Sequence, residues 1–298
     1  MKDILSIFRM FMTFANLRRV LAPPIRLCFE HCPPIRYIAL NLLARKVLAK
    51  NAKATFKYKD FFFQVEPRDF GVTFELMSTG AYETTSLDLI LKRLKPGDTV
   101  IDIGAHIGLY SIPMSKVVGP QGRIVAFEPN PKNIDLLNWN IDTNGCNNIK
   151  VEEQAVRDKS SVSDLLLSGI NSGDHRFYGN GYVKTVPVMC TSLDNYLDPK
   201  TKVDVIKMDI QGGEGEAFYG MKRVLSENPN IFILWELSPE QLTNAKTDPL
   251  EVLNFLIDQG FKQSIVDDVD GSIEEYSTSE SLLDQCPKRS FINILSKR

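Results

Sequence analysis

From about residue 98 onward, short apolar runs alternate with segments whose apolar residues recur every three or four positions. "TVIDIG", "RIVAFEP" and "IKVEEQAV" read as strands, and "IGLYSIPMSKVVG" and "PKNIDLLNWNIDTNG" as the helices between them, the second ending at Gly145. Further on, "VKTVPVMC", "VDVIKMDI", "IFILWEL", "FKQSIVDD" and "SFINILSK" read as strands, with a helix over "PLEVLNFLIDQG". Continuous apolar strands joined by helices predict a largely parallel sheet covered on both faces. Upstream, "ATFKYKDFFFQVEP" and "GVTFELM" read as a hairpin. "GAYETTSLDLILKRLKPGD" reads as a helix stopped at Lys95-Pro96-Gly97.

The first 54 residues differ in texture and are expected to form a basic helical arm, with residues 55–298 as the main domain and 55–97 leading into its core. Ile4, Ile7, Phe8, Phe11 and Phe14 recur at helical spacing, and "YIALNLLARKVLAK" reads as a second apolar-faced helix ending in cations. "PPIR" occurs twice, at Pro23 to Arg26 and Pro33 to Arg36, which is too little for a repeat architecture. Net charge is −2, yet residues 1–60 hold 12 Lys or Arg against 3 Asp or Glu, and the remainder 23 against 34. Such an arm either packs on the main domain or rests on an anionic membrane surface. Arg9 interrupts its apolar start and Arg18 and Arg19 close it, so no membrane-spanning or secretory segment is expected.

Cys28, Cys32, Cys146, Cys190 and Cys286 are odd in number and scattered, which points to a reducing, cytoplasmic setting, with peripheral membrane association if the arm binds lipid. Cys28, His31 and Cys32 lack a nearby second ligand pair, so packed thiols are expected rather than zinc.

In a parallel sheet of this kind, ligands sit outside the carboxyl ends of the strands, which makes polar strand-terminal residues the candidates. The first is Asp102, followed by Gly104 and Gly108 in a turn that lets a ligand approach backbone N–H groups. Its G-x-x-x-G spacing is neither the dinucleotide fingerprint nor a P-loop. Glu128 closes the next strand, placed to accept both hydroxyls of a ribose or, alternatively, to serve the dipole of the following helix. Gln154 and Ala155 end a third strand and present an amide and a small surface to an adenine edge. Asp209 ends a fourth. Three acids around a Gly-rich turn suit a nucleoside with a positive centre, as in S-adenosylmethionine.

"VIDIGAHIGLYS", "GRIVAFEPNPKNIDLLNWN", "TSLDNYL", "VDVIKMDIQGGE" and "ILWELSP", in this order, resemble the FkbM family of S-adenosylmethionine-dependent methyltransferases. The likeness includes "GAYE" (Gly80 to Glu83) and the closing "SFIN", and so covers residues 55 to 297. It implies a Rossmann-like class I methyltransferase fold of seven mostly parallel strands with the last antiparallel, and methyl transfer mostly to oxygen on sugars, glycans or secondary metabolites. It also implies that Asp102, Gly104 and Gly108 line the methionine end, that Glu128 holds the ribose, that Ala155 sits near adenine and that Asp209 lies beside the amino group and reacting centre. Glu83, Ala105, His106, Asn130 and Gln154 complete the expected cofactor set. The family's D-x-E-G-x-E turn is here Asp209-Ile210-Gln211-Gly212-Gly213-Glu214. One carboxylate has become an amide, so metal-independent chemistry is expected.

A hydroxyl acceptor must lose a proton, for which Asp209, Glu214 and His175 are the catalytic candidates, with His106 as a further base or a residue that only shapes its turn. His175 belongs to the polar loop "GINSGDHRFYGNGY", where Asn171, Asp174, His175 and Arg176 are expected to meet the acceptor. Glu214 and Glu216 alternatively serve as first-turn acids of the next helix. The expected reaction is O-methylation of a sugar or glycan hydroxyl. The alternatives are a nitrogen or secondary-metabolite hydroxyl acceptor, or a non-catalytic membrane-associated scaffold with a vestigial pocket. The acidic main domain argues against nucleic acid as a partner.

Overall fold

The computed structural model describes residues 54–66, 69, 71–169, 171–179, 184–268, 270–286 and 291–298. Residues 1–53 of the N-terminal arm, and with them the membrane expectation and the reading of Cys28, His31 and Cys32, lie outside the described residues, while Cys146, Cys190 and Cys286 are free thiols.

The main sheet takes its direction from five parallel strands, β5 (Ile149–Glu152), β4 (Arg123–Phe127), β3 (Thr99–Ile103), β9 (Val205–Met208) and β10 (Phe232–Leu237), adjacent in that order. The chain's last strand, β13 (Ile292–Lys297), runs antiparallel between β10 and β11 (Lys262–Val266). These seven strands form the Rossmann-like class I methyltransferase order. An eighth, β12 (Ile273–Tyr276), extends the β11 edge as a hairpin.

Both faces of the central strands are covered. Val100, Ile124, Val205 and Leu234 contribute to one apolar layer, and Ile101, Ile103, Phe127, Met208 and Trp235 to the other. This two-sided burial explains why the strands read as unbroken apolar runs. Asp102 and Lys207, paired across β3 and β9, are charged exceptions within it.

Three local readings are corrected. "GVTFELM" is not a strand: Val72–Thr79 is helix α1, whose Val72 and Leu76, one turn apart, are buried in the core. The Asp69 carboxylate accepts the N–H groups of Gly71 (3.0 Å) and Thr73 (2.7 Å), satisfying donors that a helix start leaves open. The hairpin lies wholly within the preceding run, as β1 (Ala54–Tyr58) and β2 (Phe61–Val65). Asn140 clamps it to the helix Pro131–Thr143, accepting from Gln64 N–H at 2.6 Å and donating to Gln64 O at 3.2 Å.

"IKVEEQAV" is two strands, because the chain leaves β5 at Glu153 and pairs β6 (Gln154–Val156) with β8 (Lys184–Thr191) instead. β8 and β7 (Ser161–Leu167) complete a separate three-stranded sheet. Val188 and Cys190 point inward while Met189 between them is exposed, the alternation of a sheet that is solvated on one face. The loop between β7 and β8 brings Ser172 against His106 and Asn133, which follow the carboxyl ends of β3 and β4.

Candidate active site

The strand order reverses between β3 and β9, and there a cavity opens. Two connections close its floor: Asp209 N–H donates to Ile103 O at 3.1 Å, and a Cβ on Gly104 would stand 2.0 Å from Asp209 O. Only glycine permits that approach, and its φ of +80° is equally unsuited to a side chain. Gly104 and Ala105 donate to Phe127 O at 2.9 and 3.0 Å, which ties the first turn to the end of β4.

Glu128 follows directly. Its Oε2 accepts His106 N–H at 2.9 Å, and its Oε1 accepts Asn130 N–H at 2.9 Å and Asn133 Nδ2 at 3.3 Å. Burial nevertheless pushes its carboxyl up to about 7 against these donors. His106 is held at φ +52°, and Glu83 and Gln211, in two other loops around the cavity, also have positive φ. Half of the six described non-glycine residues of this kind therefore surround one site, where backbone strain commonly marks function.

The 171–179 loop forms the cover. Ser172 contacts His106 Nε2 at 2.7 Å through its hydroxyl, accepts Asn133 Nδ2 at 3.2 Å on its carbonyl and donates its N–H to Asp69 at 2.9 Å. His175 Nδ1 accepts Ser168 N–H at 3.1 Å, and burial brings this imidazole down to about 4, so it is neutral at pH 7. Phe127, Ala155, Val156, Leu165 and Phe177 give the adjoining wall apolar surface, with Gln154 at its edge. Arg157, which also lines the cavity, grips both Glu216 oxygens (2.6 and 2.8 Å) and Tyr178 Oη (2.5 Å), and stacks over Phe177.

At the opposite end stand Lys207 and its acids. Its Nζ lies 3.8 Å from Asp209 Oδ2 and 4.9 Å from the centre of the Tyr110 ring. Tyr110 Oη donates to Glu83 at 2.8 Å. Burial, then repulsion from Asp209, lifts Glu83 to about 7, opposed by Lys207. Gln211 Nε2 donates to Asp209 at 2.7 Å and to Glu236 at 3.2 Å, so the amide that departs from the family turn bridges two carboxylates. Burial and then Asp209 raise Glu236 well above the ordinary carboxylate range.

Of the candidate residues, Gly104, Ala105, His106, Glu128, Gln154, Ala155, His175 and Asp209 line the cavity. Asp102 does not; it is fully buried beneath it, with Oδ2 accepting Ser111 Oγ at 2.5 Å and Oδ1 unpartnered. Gly108 packs against Leu137 and Ile112. Asn130 caps the helix Pro131–Thr143 by accepting Lys132 N–H at 3.2 Å. Glu214 also stays outside: its oxygens accept Ile210 N–H (3.0 Å) and Gly212 N–H (2.9 Å), shaping the turn that carries Asp209. Trp235 is a core residue, 1% exposed, with its indole N–H on Ser296.

A larger groove of ≈750 Å³ adjoins the cavity and shares Val72, Tyr82, Gly173, Asp209 and Gln211 with it. Glu83, Asp174, Arg176 and Glu236 line it, with Phe291 at 54% exposure. Asn171, Asp174 and Arg176 thus face the groove, whereas His175 faces the cavity.

Sequence reasoning passed over Lys207, Tyr110, Arg157 and Ser172. For Lys207 a signal existed, since a lysine inside the buried run "VDVIKM" requires partners. The donor set suits S-adenosylmethionine: a buried acid for the ribose hydroxyls, apolar surface for adenine, and paired acids with a cation for a zwitterionic amino-acid end. Among the described residues, no group of three or more His, Cys, Asp or Glu is arranged to hold a metal ion, and no helix is long and apolar enough to cross a membrane.

Comparison with known proteins identifies methyltransferase families. The methyltransferase FkbM domain family matches residues 102–262, and the protein-L-isoaspartate(D-aspartate) O-methyltransferase family matches residues 37–157. A tRNA (guanine(37)-N(1))-methyltransferase of Drosophila pseudoobscura pseudoobscura is 29% identical over 139 residues, 44% of this chain and 31% of that protein. A probable cobalt-precorrin-6B C(15)-methyltransferase (decarboxylating) of Saccharolobus solfataricus is 31% identical over 114 residues, 38% of this chain and 54% of that one. The chain thus spans from under a third to about half the length of these relatives. Among solved structures, a precorrin-6y C5,15-methyltransferase from Geobacter metallireducens aligns with a TM-score of 0.40 at 16% identity, over 72% of this chain and 86% of that one. M. jannaschii TYW2 in complex with AdoMet aligns with a TM-score of 0.39 at 14% identity, over 83% and 87%. Because the first match spans more than half of the sequence and the sheet has the corresponding strand order, the chain belongs to the FkbM methyltransferase domain family, enzymes whose cofactor is S-adenosylmethionine.

Proposed function

We propose that this methyltransferase acts on a hydroxyl of a sugar or glycan. The observation that carries the reading is the groove that meets the cofactor cavity at Asp209. Its carboxylates are acceptors for hydroxyl donors, and the exposed ring of Phe291 offers a face on which the C–H side of a sugar can stack. The groove's aspartates, Asp209, Asp267 and Asp268 among them, repel a polyanion, which disfavours a nucleic-acid acceptor even though one relative is named as a tRNA methyltransferase.

When bound, S-adenosylmethionine supplies a methyl group already activated by a sulfonium. The chain's own residues then have to align the acceptor, exclude water and take one proton. Glu128 and the first turn hold the nucleoside, the 171–179 loop covers it, and Asp209, at the junction of cavity and groove, takes the hydroxyl proton. If the N-terminal arm rests on an anionic membrane, a lipid-linked glycan becomes the natural acceptor.

The test is transfer of labelled methyl from S-adenosylmethionine by the full-length chain to separate pools of free sugars, lipid-linked glycans, small secondary metabolites and tRNA. Label released as a methylated sugar after glycan hydrolysis is the expected result. Label confined to tRNA, to a nitrogen or to a non-sugar metabolite overturns it.

A further inference from the structure

Among the described residues, the cofactor cavity contains one cation whose hydrogen-bonding capacity is unspent. Lys207 is 7% exposed, and its ammonium lines the cavity. Its nearest charged partner is Asp209 Oδ2 at 3.8 Å, beyond hydrogen-bond range, and its other neighbour is the face of Tyr110 at 4.9 Å. An ammonium has three donors, and a buried one without an acceptor is costly.

Its surroundings define what is missing. Asp209, Asp102, Glu83 and Glu236 all act on Lys207, and their combined attraction outweighs burial, so it stays charged. The same acids would repel a carboxylate entering the cavity unless a cation received it. The other cations do not serve. Arg157 is held by Glu216, Tyr178 and Ser163, and burial disfavours the charged form of both His106 and His175.

We infer that Lys207 is a carboxylate-binding residue that receives the α-carboxylate of the cofactor's methionine end. This assignment concerns the cofactor alone and does not depend on which acceptor the groove takes. It also explains a lysine inside a buried strand, directly opposite Asp102 on the neighbouring strand.

Calorimetry with two probes tests it: S-adenosylhomocysteine, and its decarboxylated form, which keeps the nucleoside and the amine. In Lys207→Met, an apolar side chain of similar length, affinity for S-adenosylhomocysteine should fall about ten- to a hundredfold, while affinity for the decarboxylated probe is unchanged or rises. Equal loss for both probes, or no loss for S-adenosylhomocysteine, overturns the assignment. Should Lys207→Met not fold, the wild-type lysine side-chain signals are followed by NMR, with Lys207 assigned through Lys207→Arg. The Lys207 signal should shift on adding S-adenosylhomocysteine by more than on adding the decarboxylated probe. The same shift with both, or none, overturns the assignment.

Discussion

Glu128 Oε2 accepts the backbone N–H of His106 at 2.9 Å, joining the acid at the end of β4 to the strained residue in the turn after β3. The bond fixes the carboxylate at the cavity wall and uses only part of its accepting capacity. Replacing Glu128 with Gln removes the charge and sets an amide NH₂ against one of the two backbone donors. Calorimetric affinity for S-adenosylmethionine should fall by about 1.5–3 kcal/mol, roughly ten- to a hundredfold. Unchanged affinity would remove Glu128 from the cofactor site.

Gln211 donates to Asp209 and Glu236 together, while its own oxygen accepts Gln241 Nε2 at 2.9 Å. The neutral amide thus stands between two acids, the place a cation would otherwise take. Restoring the family's carboxylate with Gln211→Glu places three acids together and removes both donors. Stability at pH 8 should drop by about 1–3 kcal/mol in urea unfolding. Added Mg²⁺ should recover part of it in the variant and not in the wild type.

The fold could be read from the sequence because the strands buried on both faces are unbroken apolar runs and the helices between them keep their period. "GVTFELM" misled because its stabilising contacts, Asp69 on the helix start and Leu76 in the core, are invisible to local periodicity. Glu128 and Asp209 stood out as acids ending apolar strands. Glu214 has the same chemical character, but its placement depends on two backbone donors that appear only once the turn folds. Arg157 and Ser172 were illegible for a related reason: their partners lie 59 residues away, at Glu216, and 66 residues away, at His106.

Glu83, Glu128 and Glu214 are each raised from 4.5 to about 7, chiefly by burial. A raised carboxyl means that the folded chain holds protons the unfolded chain has released, so its contribution is lost as pH climbs through the folded value. His106 and His175 are lowered and act in the opposite sense, but that contribution is complete once the unfolded histidines are neutral, above about pH 7. The urea midpoint of the cofactor-free protein should therefore fall from about pH 7 to about pH 8. A midpoint that rises over this interval would mean that these acids are ionised in the fold at lower pH than their burial implies.

Asp209 and His175 were both candidates for the base, and their positions separate them. Asp209 belongs to the cavity and the groove alike, with Gln211 holding one oxygen and Lys207 near the other. His175 reaches only the cavity, and its Nδ1, the nitrogen a neutral imidazole would use to take a proton, already accepts Ser168 N–H. Asp209→Asn keeps a similar shape and removes the proton acceptor, so kcat at saturating cofactor should fall by about 10²–10⁴-fold. His175→Ala loosens one anchor of the covering loop and should raise the KM for S-adenosylmethionine while kcat changes by less than about tenfold. Loss of kcat in His175→Ala equal to that in Asp209→Asn would place the proton acceptor on the loop rather than at the strand end.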